Sequence, residues 1–268
     1  MATDSTPTQI PIPDRLSRAS RVGWIWVALA PAFGALAPPS AQAGEPRREI
    51  VFIDDFIRDP ALRPDDWAVN GPAVASALTS LPGAQGATLA APVMSFDSRR
   101  GLSLAASVRP VRQSGIQTQF AYTPPFRLAA TGTATSAGPA ALEIILATAD
   151  AGAGVGIVGG DGVAPEAGGF AMIAATGLGK PWRAPPDQAS LSHDALVAGK
   201  PYEFIIDVGA EGLAQVYVRS AGQVLGTEQV RVGLGPFYVV LGQASGANTA
   251  GQPNLVSWRG VTISRPPR

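Results

Sequence analysis

The chain has 268 residues, of which 15% are charged and 46% hydrophobic, so wholesale disorder is excluded and a sizeable core is possible. Twenty basic and twenty acidic side chains cancel to a formal net charge of zero, which leaves no basic excess for binding nucleic acid. The absence of cysteine and the presence of one histidine exclude disulfides, thiolate metal sites and multi-histidine zinc sites.

The N-terminal segment, residues 1–43, is typical of a secretory signal peptide. A polar stretch containing arginines precedes an apolar run at 22–37, which is too short to span a bilayer comfortably. Ala41-Gln42-Ala43 then fits the small-residue cleavage pattern. We therefore expect cleavage after Ala43, no transmembrane anchor after processing, and a secreted or periplasmic bacterial protein. An uncleaved N-terminal anchor is the alternative interpretation.

The remaining chain, 44–268, predicts a single all-β domain. Apolar runs recur between Gly, Pro, Asp or Asn, and none shows helical periodicity over three turns. About a dozen strands at this spacing are typical of an antiparallel sandwich or barrel. We interpret 131–140 as a flexible hairpin loop, and 179–200 as a long insertion with one helical turn at 190–197. The predicted strands are 50–57, 67–71, 86–91, 102–109, 115–123, 141–149, 154–159, 169–175, 202–209, 213–220, 237–243 and 256–264.

Gly154, Gly156 and Gly159 spell G-x-G-x-x-G, the pattern of a dinucleotide-binding loop. That loop requires a helix directly after it and an acidic residue about 20 positions further on. Here more glycines and a proline follow, and 174–186 contains no carboxylate. We therefore expect no nucleotide and interpret the segment as the returning strand of a hairpin. Its alternating glycines would thin one face of that strand, either for close packing or for a ligand.

Both ends of this domain resemble those of concanavalin A-like lectin/glucanase sandwiches from exported bacterial proteins. The start, IVFIDDFIRDPALRPDDWAV, has an aromatic-Asp-Asp-Phe strand, a short loop and a Trp-led strand. The end, GPFYVVLGQASGANTAGQPNLVSWRGVTIS, is similar to the closing strands of that group. The resemblance covers about residues 50–268. It implies an all-β antiparallel jelly-roll β-sandwich, with a concave sheet face that in the family often binds glycans and sometimes cleaves them.

The catalytic strand of the laminarinase-type members is incomplete in this sequence. Those members carry Glu-x-Asp-x-(x)-Glu, with a pair of carboxylates facing the same way about 5 Å apart. Of these positions only Glu143 is kept, because Ile145 replaces the Asp and Ala147 or Thr148 replaces the second Glu. The Gln-x-His strand of the alginate-lyase branch is also missing. We therefore expect no catalytic residue by these routes.

Eight residues are candidates for binding a glycan. Two amides on one predicted strand face could pair with sugar hydroxyls, although the same face is also typical of a solvated surface. An aromatic side chain with charged neighbours in the long insertion is suited to sugar binding, or the aromatic could pin the loop to the sheet. The candidates are Gln117, Gln119, Glu143, Trp182, Arg183, His193, Tyr238 and Gln243.

Some of these candidates have further alternatives. Glu143 is a polar anchor or an acid with a raised pKa if it faces a groove, and otherwise an ordinary outward-facing strand residue. Tyr238 and Gln243 are predicted on opposite faces of their strand, so both can line one surface only if a bulge forms at Gly242. Trp67 and Trp258 are predicted core residues. Asp54 or Asp55 could ligate a structural calcium ion, and we expect no other metal or cofactor.

Three functions are compatible with these observations. The first is a lectin-like exported protein that binds polysaccharide or envelope glycan without cleaving it. The second is a glycoside hydrolase or polysaccharide lyase with a non-standard site around Glu143 and His193. The third is a structural envelope protein whose sheet edges recruit a protein partner.

Overall fold

The computed structural model describes residues 47–79, 88–89, 91–106, 112–134, 140–150, 152–160, 169–176, 191, 196–245 and 254–267. These belong to one unit, Glu45–Arg268. The predicted signal peptide lies outside the described residues. The elements are β1 Glu49–Asp55, β2 Trp67–Val69, α1 Pro72–Thr79, β3 Thr88–Leu89, β4 Val93–Asp97, β5 Gly101–Ala106, β6 Arg112–Thr118, β7 Phe126–Ala134, β8 Ala140–Ala147, β9 Ala153–Gly159, β10 Phe170–Thr176, β11 Tyr202–Val208, β12 Leu213–Ser220, β13 Gln223–Arg231, β14 Tyr238–Ser245 and β15 Asn254–Arg265.

The described strands form two sheets that pack face to face. The eight-stranded sheet has the order β13-β12-β11-β7-β15-β5-β4, with β1 also paired to β15. The seven-stranded sheet has the order β10-β9-β8-β14-β6-β2, with β3 also paired to β6. Every described pairing is antiparallel except the two-residue pairing of β3 with β6. The prediction of an antiparallel sandwich is therefore confirmed.

The main core lies between the sheets and is rich in aromatic side chains. The rings of Phe204 and Trp258 meet edge to face, with centroids 5.9 Å apart. Trp67 is also buried, and its indole Nε1–H donates to Asp54 Oδ2 at 2.6 Å. The prediction that both tryptophans belong to the core is confirmed. The inner face of β8 adds Leu142, Ile144 and Leu146 to this core.

Each predicted strand overlaps an observed one, but the sequence interpretation missed β4, β7 and β13. The predicted loop at 131–140 is wrong over 131–134, which belong to β7, and at 140, which begins β8. Residues 135–139 lie outside the described residues. The sequence of β7 is rich in Ala, Gly and Thr and therefore reads as a loop. One of these small residues is required by the packing. A Cβ at Gly132 would lie 2.9 Å from Cζ3 of Trp258, so glycine makes room for that indole.

The interpretation of the glycine motif as a hairpin is confirmed. Residues 153–159 form β9, which pairs antiparallel with both β8 and β10. Gly156 lies opposite Ile145 of β8. A Cβ at Gly156 would lie 2.8 Å from Cγ1 of Ile145, so the thinned strand accommodates a neighbouring side chain.

The helix α1 was missed by the sequence interpretation, and it is the element that most changes the site. Its eight residues make little more than two turns, so the three-turn criterion did not detect it. Pro72 begins the helix, where its missing N–H costs nothing. The helix packs on the outer face of the seven-stranded sheet and forms a second apolar cluster there. No helix in the described ranges is long and apolar enough to cross a membrane.

Candidate functional site on the seven-stranded sheet

Strand β8 presents Glu143, Ile145 and Ala147 on the outer face of the seven-stranded sheet. Residues of one strand face alternate, so these three positions point away from the main core. Ile145 and Ala147 contribute to the apolar cluster beneath α1. Ile145, at the Asp position of the laminarinase-type motif, and Ala147, at one of the two possible positions of its second Glu, are therefore apolar side chains packed under a helix.

Glu143 is enclosed between the sheet and α1. It lies opposite Val158 of β9 and Gly242 of β14, and its side chain is fully buried. A Cβ at Gly242 would lie 2.7 Å from Oε2 of Glu143 and 2.9 Å from Cδ2 of Leu78. The glycine therefore provides the space in which the carboxyl group and the helix side chain meet.

The carboxyl group of Glu143 has no hydrogen-bond partner for either oxygen within the part of the chain that the structure describes. Burial raises the pKa of Glu143 from its ordinary value of 4.5 to about 8. Desolvation is the cause, with no contribution from a second charged group among the described residues. The side chain is therefore mainly in its neutral, protonated form at pH 7, and no second carboxylate among the described residues interacts with it to form a retaining pair.

The N-terminus of α1 is held by a side chain from the sheet. The backbone N–H groups of Ala73 and Val74 donate to Oε1 of Gln117 at 2.8 and 3.1 Å. These are two of the donors that a helix N-terminus leaves without an intrahelical partner. Gln117 thus fixes the helix over the row of β8 residues that includes Glu143.

The architecture matches solved structures at low sequence identity. β-Agarase A in complex with oligoagarose aligns with a TM-score of 0.58 and 10% identity, covering 84% of this chain and 99% of the agarase. The Bacillus licheniformis β-glucanase aligns with a TM-score of 0.52 and 11% identity, covering 81% of this chain and 98% of the glucanase.

The chain has the concanavalin A-like lectin/glucanase fold. A carbohydrate-binding module, the CBM2 module of the evolved Dit from Lactobacillus casei BL23 phage J-1, shares it with a TM-score of 0.50 and 11% identity, covering 81% of this chain and 95% of the module. No family model and no curated protein matches the sequence. The resemblance seen at both ends of the sequence is thus confirmed at the level of fold.

Within this concanavalin A-like fold, two further candidates belong to the seven-stranded sheet or its edge: Tyr238 lies on β14, and Gln119 directly follows β6. Gln119 is exposed and donates from Nε2 to the carbonyl of Pro64 at 3.1 Å. Tyr238 is half-buried, pairs with Ala147 and packs against the cluster under α1. The ladder between β6 and β14 runs from Gln113 to Gln117, and Gln119 lies in the bend that follows β6.

The remaining candidates do not join this group in the described structure. Gln243 is fully buried and alternates to the face opposite Tyr238, and both ladders of β14 run through Gly242 without a bulge. Trp182, Arg183 and His193 lie outside the described residues, so their binding role stays a prediction. The predicted helical turn at 190–197 falls largely in the same undescribed part.

The aspartate pair near the start of the concanavalin A-like domain is engaged by protein groups. Asp54 accepts from the indole of Trp67 and lies 3.4 Å from the guanidinium of Arg63. Asp55 accepts from the backbone N–H of Ile57 at 3.1 Å. The described residues contain no group of three or more Asp, Glu, His or Cys side chains placed to hold a metal ion.

Proposed function

We propose that this protein is an exported, lectin-like glycan-binding protein that does not cleave its ligand at the position where related folds carry their catalytic carboxylates. The buried Glu143, which interacts with no second carboxylate in the described part of the chain, carries this proposal. A retaining glycosidase needs two carboxyl groups about 5 Å apart on an accessible surface. Here one carboxyl group is sealed beneath α1, and its strand neighbours are Ile145 and Ala147.

The solved structures that share this fold support a carbohydrate ligand. The similar structures include an agarase holding oligoagarose, a glucanase and a carbohydrate-binding module. Export is supported by the sequence of residues 1–43, with its apolar run and small-residue site. We infer that the protein works outside the cytoplasm on polysaccharide or envelope glycan.

We place the glycan on the part of the seven-stranded sheet that α1 leaves uncovered. Tyr238 supplies an aromatic plate there, and Gln119 supplies an exposed amide. Phe120 follows Gln119 in the chain and is 63% exposed, so its ring is accessible for stacking on a sugar. Trp182 and His193, which belong to the long insertion at 179–200, are also proposed to contact the glycan.

Affinity electrophoresis of the purified protein through gels containing agarose, β-glucans and other neutral polysaccharides tests this function. We expect retardation by at least one polymer, with no release of reducing ends or unsaturated products. Tyr238→Ala and Phe120→Ala should abolish the retardation. Tyr217→Ala is the matched control, because Tyr217 lies on β12 of the other sheet.

Two outcomes would contradict the proposal. Migration unchanged in all of these gels, and also in gels that contain an acidic polysaccharide, would exclude a glycan-binding role. Cleavage that disappears in Glu143→Gln would instead show a glycosidase or lyase with a non-standard site.

A further inference from the structure

A cavity of about 280 Å³ lies on the outer face of the eight-stranded sheet, on the side of the sandwich away from α1. Among the described residues that line it, three are arginines and none is acidic. Its volume is just below the usual range for sites of drug-sized ligands, so it suits one charged group with its sugar ring. The lining residues are Arg99, Arg100, Thr133, Gly199, Pro201 and Arg259.

The turn between β4 and β5 places two of the arginines side by side. Oδ1 of Asp97 accepts from the backbone N–H groups of Arg99 and Arg100 at 2.8 and 3.0 Å. Gly101 then takes a φ of +81°, a conformation that glycine adopts readily. The backbone of this turn is thus fixed by local hydrogen bonds, while both guanidinium groups stay exposed.

A β-bulge delivers the third arginine. The register of β15 against β7 shifts between Trp258 and Gly260, so Arg259 is the extra residue. At the same point β15 changes its other neighbour from β5 to β1. Bulges commonly re-aim a side chain, and here Nη2 of Arg259 donates to the carbonyl of Arg99 at 3.1 Å.

Around the cavity, three arginines outnumber the carboxylate of Asp97, whose pKa is lowered by the backbone N–H groups of Arg99 and Arg100 and by their charges. Within the described ranges, none of these three arginines forms an ion pair. Arg259 also lines a second cavity, whose described lining includes Asp54, Asp55 and Glu203. These acidic residues already have cationic partners. Asp55 lies 3.3 Å from Arg58, and Glu203 lies 3.8 Å from Arg219.

We propose that this cavity binds an anionic substituent, a sulfate ester or a carboxylate, of an acidic polysaccharide. Guanidinium groups bind such oxygens through paired, charge-assisted hydrogen bonds, and the Thr133 hydroxyl can add a further contact. The inference that the ligand is a polysaccharide rests on the proposed function, whereas the inference that it is anionic rests on the three arginines. This site lies on the opposite sheet from Tyr238, so the two surfaces can be tested separately.

Binding of dextran sulfate and alginate, measured against uncharged dextran, tests the inference. We expect the protein to bind the two acidic polymers, with affinity falling as salt is raised. Arg100→Ala and Arg259→Ala should each weaken binding about tenfold, since each removes charge-assisted hydrogen bonds. Arg231→Ala is the matched control, because Arg231 is also exposed and donates to a backbone carbonyl, that of Glu211 at 3.0 Å.

Several results would overturn the inference. Equal weakening in Arg231→Ala would show attraction to general charge and not to this cavity. Arginine-dependent binding to phosphatidylglycerol vesicles without binding to acidic polymers would point to a membrane surface. Retention by neutral polysaccharide with no effect of the arginines would overturn the anion site and leave the proposed function intact. Arginine-dependent binding of dextran sulfate with no retention by neutral polymers would support the cavity and contradict the surface around Tyr238.

Discussion

Glu143 of β8 and Gly242 of β14 lie directly opposite each other, and the carboxyl group of the first occupies the space that a side chain on the second would need. Leu78 of α1 closes the same space from above. The arrangement lets a carboxyl group be buried without a hydrogen-bond partner among the described residues. The stability of the helix on the sheet should therefore depend on both the size and the ionisation of the groups in this contact.

Gly242→Ala should destabilise the protein. The added Cβ would lie 2.7 Å from Oε2 of Glu143 and 2.9 Å from Cδ2 of Leu78, closer than such atoms normally approach. Overpacking of this kind costs roughly 1–3 kcal/mol, measured as a lower free energy of unfolding in urea. In a Glu143→Ala background the same change should cost clearly less. Equal costs in both backgrounds would show that the two residues do not share this space.

Glu143 should make the free energy of unfolding decrease as the pH rises. Its pKa is about 8 in the folded protein and near 4.5 when exposed, so the unfolded chain loses this proton first. Between these values folding retains a proton that the unfolded state has released, which lowers stability as pH rises. The slope contributed by this one group reaches about 1.4 kcal/mol per pH unit and vanishes above pH 8.

Glu143→Gln isolates this effect because the amide stays neutral throughout. The difference in unfolding free energy, wild type minus variant, should decline from about pH 4.5 to about pH 8 and then level off. Other titrating groups cancel in that difference. A constant difference across this range would mean that the carboxyl group is not buried.

Gln117→Leu should loosen α1. The change leaves the N–H groups of Ala73 and Val74 without their acceptor, and an unsatisfied buried donor costs about 1–3 kcal/mol. Gln119→Leu is the matched control, because Gln119 is exposed and contributes one side-chain bond to Pro64. Hydrogen exchange of α1 and the free energy of unfolding would both report the loss. Equal effects of the two substitutions would contradict a capping role for Gln117.

The sequence predicted the sandwich because its signals are local. Alternation and turn residues mark strands such as β5 and β12, and Asp150 with Gly152 marks the turn between β8 and β9. The helix α1 lacks such a signal. It is short, and its capping acceptor is Gln117, 44 residues away from Ala73. An interaction that distant leaves no pattern in the helix sequence itself.

The site was predicted less completely because it depends on contacts between residues that are far apart in the sequence. A raised pKa for Glu143 is one of the alternatives that the sequence offers, and burial in the structure raises that pKa. Its position is neither in an open groove nor on a solvated face, because α1 covers it. The arginine cavity was missed because its members come from the turn after β4 and a bulge in β15. A bulge is set by strand pairing, which the sequence alone did not reveal.

The most direct test is the size of a bound polysaccharide after prolonged incubation with the protein. The best-retained polymer would be mixed with the purified protein and followed by size-exclusion chromatography with light scattering. We predict that the protein co-elutes with the polymer and that the polymer's mass does not change. A falling polymer mass, or the absence of co-elution with every polymer tried, would contradict a glycan-binding protein without cleavage.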